Sequence, residues 1–580
     1  MPSSQRLPGG FDLTVERNVP AEMSDGTVLR ADVYRPATGG PFPVILMRLP
    51  YDKTLAQDIT YHYPSWYARH GFMVVVQDVR GRGRSEGDFY PFAHEVDDGY
   101  ESVEWAAGLP HSNGRVGMYG FSYVGATQLQ AAIRRPPALH TICPALTGSQ
   151  FYDGWAYNGG AFALAFNASW ALNLARDGAR RAGDDAQTGE LTAAFLNAPG
   201  GYGHLPLKTY PSIEATAFGS FFFDWLAHPT YDDYWRRWSI DEQYSQIDVP
   251  ALHIGGWYDI FLAGTVKNFS ALRTRAGSER ARNSQKLLIG PWYHLPWTSL
   301  TGAANFGSTA RNVVNDWQLR WFSQFLRDDD TGVLDAPVTV FLTGDNRWID
   351  LGSWPPEGTR FHDYYLRSDG DANSINGHGA LSLDPPGNEP PDVYSYDPLA
   401  PTPSVGGRSC CFPILAPMGP ADQAAVEVFN SVLVYTSPAL DRDLPVIGPI
   451  RATLHAASTA VDTDFTVKLC DVSPDGLSIN IQGGIIRARY RGSLTDPRPI
   501  EPGEVYEYTI DLGPVAHVFQ AGHRVRVQVS SSDFPQWDRN LNTGGELGVE
   551  RIVDARVATQ FLLHDGAHPS RITLPVIGGV

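Results

Sequence analysis

RVGMYGFSYVGATQLQAAIRR, residues Arg115 to Arg135, reads as a short strand, a sharp turn at Gly120-Phe121-Ser122-Tyr123-Val124-Gly125, and a helix that has to stop before Pro136-Pro137. A serine on a tight strand-to-helix turn is lifted clear of the sheet, and the first backbone N–H groups of the helix point toward its hydroxyl. Small residues flank Ser122 where strand and helix nearly touch: Gly120 before it, Gly125 and Ala126 after it. The pattern for such a nucleophile turn is G-x-S-x-G, and Val124 stands at the second glycine. Read alone, Gly-Phe-Ser serves an ordinary turn as well as it serves a nucleophile, so the surroundings decide.

Upstream, alternation on either side of Ser24-Asp25-Gly26 predicts a hairpin over Leu13 to Pro36. PVILMR, Pro43 to Arg48, is a continuous apolar run of the kind a strand buried on both faces of a parallel sheet needs, and Leu49 to Lys53 forms the loop after it. A helix around Tyr63 to His70 leads to a second buried strand, Phe72 to Asp78, which makes the pattern doubly wound. The glycine-rich VRGRGRSEG that follows, Val79 to Gly87, imitates a dinucleotide fingerprint, but its spacing is wrong and Pro91 follows instead of a long helix. Arg80, Arg82 and Arg84 lie close in sequence to Glu86, Asp88, Glu95, Asp97 and Asp98, so the loop reads as structural and ion-paired rather than as a phosphate or nucleic-acid cradle. Glu95 to Leu109 is an amphipathic helix.

Downstream, residues from about Ser149 to Trp238 turn rich in Trp, Phe, Tyr and Ala, with helical patterns over Phe162 to Ala179 and Asp184 to Leu196. Such aromatic stripes build a core, and a cap over a site needs them equally. Buried strands return at Val249 to Gly256, followed by Trp257-Tyr258-Asp259, and at Lys286 to Ile289, followed by Gly290-Pro291-Trp292-Tyr293-His294. After a helix ending near Leu326, Asp350 to Pro403 reads as loop, rich in Pro and Gly. From Val426 onward, alternating β-branched segments predict an all-β sandwich. The expected division is an α/β domain over 1–148 and 243–348, a helical domain over 149–242, and a β domain over 349–580.

A chain of 580 residues exceeds one core and suggests about three domains. Its net charge of −18 repels phosphate backbones and anionic lipid, so neither nucleic acid nor a membrane surface is an expected partner. The cysteines, Cys143, Cys410, Cys411 and Cys470, show no C-x-x-C spacing, and four free thiols are expected because the adjacent pair bridges only with strain. The N-terminal MPSSQRLPGGFDL has no basic and apolar leader pattern, and no run of about 18 apolar residues occurs, so a cytoplasmic protein is expected.

Ser122, Asp259 and His294 each follow a predicted buried strand, in the chain order serine, acid, histidine that α/β-hydrolases use. A serine hydroxyl attacks a carbonyl only when an imidazole takes its proton, and a carboxylate holds that imidazole in the right tautomer. Read singly, Asp259 also fits a helix N-cap and His294 a loop histidine. Five stretches together carry a resemblance: RLPYDK at Arg48 to Lys53, VVVQDVRGRGRSEG at Val74 to Gly87, GFSYVGATQ at Gly120 to Gln128, GGWYD at Gly255 to Asp259, and GPWYH at Gly290 to His294. The chain resembles, over nearly its whole length, the cocaine esterase and X-prolyl dipeptidyl-peptidase-like acyl hydrolases, whose G-x-S-Y-x-G turn accommodates Val124.

The resemblance implies an α/β-hydrolase domain interrupted by a helical cap domain and followed by a jelly-roll domain. It puts the nucleophile at Ser122, the acid at Asp259 and the base at His294, with the Tyr123 backbone N–H and the Tyr51 phenol as oxyanion hole. It implies an acyl pocket of Trp155, Trp170, Phe261 and Phe412, and an acyl-enzyme mechanism without metal or organic cofactor. The expected partner is a small-molecule ester or amide, with a homodimer left open. Ile260-Phe261-Leu262 after Asp259 carry no acid to hold an ammonium, which favours a bulky apolar or aryl acyl group over the aminopeptidase, X-prolyl or β-lactam acylase branch of the family. A carbohydrate-binding jelly-roll protein is the reading from a different class.

Overall fold

The computed structural model describes residues 12–54, 63–294 and 297–578. The N-terminal stretch 1–11, part of the leader reading, lies outside them. One sheet organises the first half of the chain. Its strands are β1 (Leu13–Glu22), β2 (Val28–Pro36), β3 (Phe42–Leu49), β4 (Met73–Asp78), β5 (Ser112–Phe121), β6 (Leu139–Ala145), β7 (Ala251–Tyr258), β8 (Gln285–Tyr293), β9 (Val338–Leu342) and β10 (Arg347–Leu351). They lie in the order β1-β2-β4-β3-β5-β6-β7-β8-β9-β10. From β4 through β9 every pairing is parallel, while β1, β2 and β10 run antiparallel at the edges. Parallel strands need crossovers that cover both faces, which is why β3, β4 and β7 are buried at every position.

The covering helices include α1 (Pro64–Arg69), α2 (Glu95–Ala107) and α3 (Tyr123–Ile133). Every residue of α3 is buried, so Ala, Gly, Thr and Gln replace the charged face a surface helix would carry. Between β6 and β7 the chain leaves the sheet and forms α4 (Leu164–Ala182), α5 (Asp185–Leu196), α6 (Phe221–Ala227) and several shorter turns. α4 starts two residues later than the periodicity suggests, because Ala161–Phe162 pair with Tyr157–Asn158 as a small hairpin. Two further helices, α7 (Leu262–Arg275) and α8 (Val314–Leu326), return to the main sheet.

The second half is a β-rich layer whose strands include Leu444–Ser458, Asp464–Val472, Ser478–Arg487, Tyr506–Phe519 and Arg524–Ser530. The architecture is thus an α/β-hydrolase sheet with a helical insertion and a C-terminal jelly roll. The stretch Asp350 to Pro403 departs from its loop reading: it supplies strands Arg360–Arg367, Ala380–Ser382 and Asp392–Tyr396. In Asp392–Tyr396 burial alternates strictly, with Asp392, Tyr394 and Tyr396 inward. The inward acid and phenols broke the apolar signature that marks a strand in sequence.

A correction also concerns the cysteines. Cys143 and Cys470 are free and buried, but Cys410 and Cys411 are joined to one another. They sit in a loop between the two-residue strands Gly407–Arg408 and Met418–Gly419, closed by the Ser409 N–H donating to the Pro417 carbonyl at 3.0 Å.

Candidate active site

Ser122 follows β5 and caps α3 with φ 64° and ψ −131°, the strained positive-φ conformation of a nucleophile turn. Its N–H is held by the Ala145 and Leu146 carbonyls, and its own carbonyl accepts the Gly125 and Ala126 N–H groups. Gly120 has φ 141°, and a Cβ there would lie 2.2 Å from a Val124 methyl carbon; one on Gly125 would lie 2.7 Å from the Ala145 carbonyl oxygen. The positions that have to be glycine are therefore 120 and 125, and Val124 is itself the neighbour that packs against Gly120.

The three strand-end residues form one hydrogen-bonded chain. The Ser122 hydroxyl lies 2.9 Å from His294 Nε2, and His294 Nδ1 lies 2.6 Å from Asp259 Oδ1. Asp259 Oδ2 accepts the Phe261 N–H at 3.0 Å, so both carboxylate oxygens are occupied. Ser122, His294 and Asp259 are buried. With Nδ1–H donating to the carboxylate, Nε2 is left as the acceptor for the serine proton.

Tyr51 stands in the loop after β3, its phenol on the Ser122 side and raised in pKa by burial. The Trp170 indole N–H donates to the same phenol oxygen at 3.0 Å. The loop is anchored from below. The Lys53 N–H and ammonium donate to Asp78 at 2.6 and 2.9 Å, and Arg84 donates its N–H to the same carboxylate at 2.9 Å. Arg82 reaches the Pro50 carbonyl at 2.7 Å. Arg80 pairs with Asp98 and Asp25. The glycine-rich loop thus braces Tyr51. Tyr123 carries its phenol to Glu95 at 2.8 Å, and Glu95 pairs with Arg48 at 2.7 Å; burial raises the Glu95 pKa.

Three of the four predicted pocket rings are contiguous. Trp155 stacks on Phe261 at 4.1 Å between centroids, Phe261 meets the His294 ring edge to face at 5.2 Å, and Trp170 lies 6.2 Å from Trp155. Phe166, absent from the sequence reading, joins Trp155, Trp170 and Phe261 at 5.7 to 6.0 Å. Phe412 is different: it is 38% exposed and packs edge to face on Phe195 of α5. From that loop it is Cys410 and Cys411 that come to His294, the two sulfurs and an imidazole nitrogen lying within 4.8 Å of one another. No sequence signal pointed there, since the contact joins residues more than a hundred positions apart.

Residues 25–296 match the X-Pro dipeptidyl-peptidase (S15 family), and residues 331–573 match the X-Pro dipeptidyl-peptidase C-terminal non-catalytic domain. Cocaine esterase from Rhodococcus sp. (strain MB1 Bresler) is 36% identical over 97% of this chain and 99% of its own. The chain belongs to the cocaine esterase and X-prolyl dipeptidyl-peptidase-like family of serine hydrolases. Solved relatives follow it end to end: an aminopeptidase from a marine sediment Thaumarchaeota archaeon has a TM-score of 0.81 at 25% identity, covering 99% of this chain and 98% of its own. An α-amino acid ester hydrolase has a TM-score of 0.79 at 27% identity, with the same coverages. Among the described residues, no helix is long and apolar enough to cross a membrane.

Proposed function

We propose that this hydrolase cleaves carboxylic esters with a bulky apolar or aryl acyl group through an acyl-enzyme intermediate. The observation that carries the reading is the Ser122–His294–Asp259 chain opening onto the Phe261, Trp155, Trp170 and Phe166 rings. Ser122 attacks the ester carbonyl while His294 Nε2 takes its proton. The oxyanion that forms is met by the Tyr51 O–H and the Tyr123 N–H. His294 returns the proton to the departing alcohol, and water repeats the sequence on the acyl-serine. No step calls on a metal or organic cofactor, and the substrate is a small molecule.

The aminopeptidase and α-amino ester hydrolase among the solved relatives define the competing reading. It requires a carboxylate for the substrate ammonium, and the positions after Asp259 hold Phe261, a ring stacked on Trp155, instead. An ammonium buried among rings without a carboxylate loses several kcal/mol of hydration, whereas each well-set ring pair adds about 0.5–1.5 kcal/mol for an aryl group. Benzoyl or phenylacetyl esters should exceed α-aminoacyl esters in kcat/KM by at least about tenfold, which corresponds to roughly 1.4 kcal/mol. Fluorophosphonate labelling should be lost in Ser122→Ala while the fold persists. Faster turnover of aminoacyl or X-prolyl substrates would transfer the protein to the peptidase branch, and labelling of Ser122→Ala would move the nucleophile elsewhere.

A further inference from the structure

The pair Cys410–Cys411 is unused by the proposed reaction, yet it lies against His294. Cys410 and His294 are buried and Cys411 is half-buried. Its loop is built in rather than loose: the Ser409 N–H holds the Pro417 carbonyl, the Leu415 and Ala416 N–H groups hold the Phe412 carbonyl, and the Tyr202 hydroxyl from the helical layer holds the Leu415 carbonyl at 2.7 Å. We propose that, once reduced, Cys410 and Cys411 together with His294 form a binding site for a thiophilic divalent cation such as zinc, and that loading it withdraws His294 from Ser122.

The donor set suits that ion: two soft thiolates and one imidazole are a usual zinc shell with a fourth position open. Zinc holds sulfur at about 2.3 Å and nitrogen at about 2.0–2.1 Å, so three donors on one ion stand roughly 3.3–4 Å apart. The two sulfurs and an imidazole nitrogen of His294 already lie within 4.8 Å of one another, and the sulfurs separate once their bond is broken. Because His294 Nδ1 is held by Asp259, the nitrogen open to a metal is Nε2, whose present partner is Ser122. Asp259 behind the imidazole then makes a carboxylate–histidine–metal arrangement, which fixes the ring and raises its basicity. A metal on Nε2 and a proton from Ser122 on Nε2 exclude one another.

The steps balance. A phosphine attacks one sulfur and the S–S bond breaks; water supplies the oxygen of the phosphine oxide and the two protons the sulfurs take up. Within a cell a dithiol supplies the same two electrons and leaves as its own disulfide. Zinc then displaces both thiol protons without any change of oxidation state. Disulfides in cytosolic proteins are commonly transient and redox-sensing, which fits a pair that gates rather than staples.

The test uses Ser122→Ala protein first, so that metal binding succeeds or fails independently of ester hydrolysis. After phosphine treatment and removal of the phosphine, it should retain one equivalent of zinc through gel filtration, and untreated protein none. Cadmium in place of zinc should give the ultraviolet thiolate-to-metal band. Cys411→Ser, and the Cys410→Ser/Cys411→Ser double variant, should lose the band, and His294→Ala should bind zinc at least about 100-fold more weakly. In wild-type protein, one equivalent of zinc should abolish ester hydrolysis only after reduction, and a chelator should restore it. Zinc retained without reduction, retained by the double serine variant, or held equally well by His294→Ala would overturn the proposal.

Discussion

At the scale of single residues, the Tyr51 phenol has two neighbours with distinct demands. Trp170 donates to its oxygen at 3.0 Å, which leaves the phenol's own hydrogen able to donate to charge that develops at the Ser122 side. Tyr51→Phe keeps the ring and deletes only that donor, and kcat should fall about 100- to 1000-fold with little change in KM, because the bond strengthens as charge develops. Trp170→Phe deletes the indole N–H while keeping a ring among Trp155 and Phe166. A fall in kcat of about tenfold, with KM for an aryl ester nearly unchanged, is expected if Trp170 orients the phenol; Trp170→Ala should raise that KM as well. Pre-steady-state kinetics on an aryl ester checks all three, and a wild-type kcat in Tyr51→Phe with chemistry rate-limiting would place the phenol outside the reaction. The residue types and their order were legible in the sequence, since Ser122, Asp259 and His294 each follow a predicted buried strand. The Trp170–Tyr51 bond was not, because it joins positions 119 apart and a tryptophan in an aromatic stripe reads as core.

At the scale of elements, the two loops after β3 and β4 behave as one unit through Lys53 and Asp78, whose side chains are almost wholly buried. Lys53→Met leaves the Asp78 carboxylate buried without its cation, a change that typically costs about 3–5 kcal/mol. Denaturant unfolding should show a loss of that order, and kcat should fall with it as Tyr51 loses its footing. Combining Lys53→Met with Asp78→Asn should recover part of the stability, since the uncompensated charge is gone. If the double change is no better than the single, the lysine acts through packing and not through its charge. The elements themselves divide by how they advertise burial. β3, β4 and β7 are buried on both faces and read as apolar runs. Asp392–Tyr396 buries an acid and two phenols that are satisfied only by partners distant in sequence, and the Cys410 loop contacts the main site from another layer. Local pattern carries the first kind and has nothing to say of the second.

At the scale of the whole molecule, strands of the C-terminal layer are tied together by a buried charge cluster centred on His564, which follows strand Ala558–Leu563. Its Nε2 lies 2.8 Å from Asp392 Oδ2 and its Nδ1 lies 3.3 Å from Glu389 Oε2, so both ring nitrogens face carboxylates. Ser368 and Tyr435 complete the Asp392 shell with hydroxyl donors at 2.7 and 2.6 Å, and Arg367 pairs with Glu389. Burial opposes a charge on this imidazole, but the Asp392 hydrogen bond and the attraction of Asp392 and Glu389 outweigh it, and the pKa stands above the ordinary value. A folded-state pKa above the unfolded one, about 6.5, means that the imidazolium contributes its full stabilisation below that pH and loses it as pH rises through the folded value. On the acid side Asp392, whose pKa is lowered by His564, Tyr435, Ala372 and Ser368 against the effect of burial, stays charged below the usual carboxylate range. The melting temperature of the wild type should therefore drop as pH rises from about 6 to about 9. His564→Gln, which cannot carry the charge, should melt lower at the acid end and lack this part of the slope. Only the difference between the two curves isolates His564, because other groups titrate in both proteins. Parallel curves across the range would mean that His564 is neutral in the folded protein and that the cluster holds its strands by neutral hydrogen bonds alone.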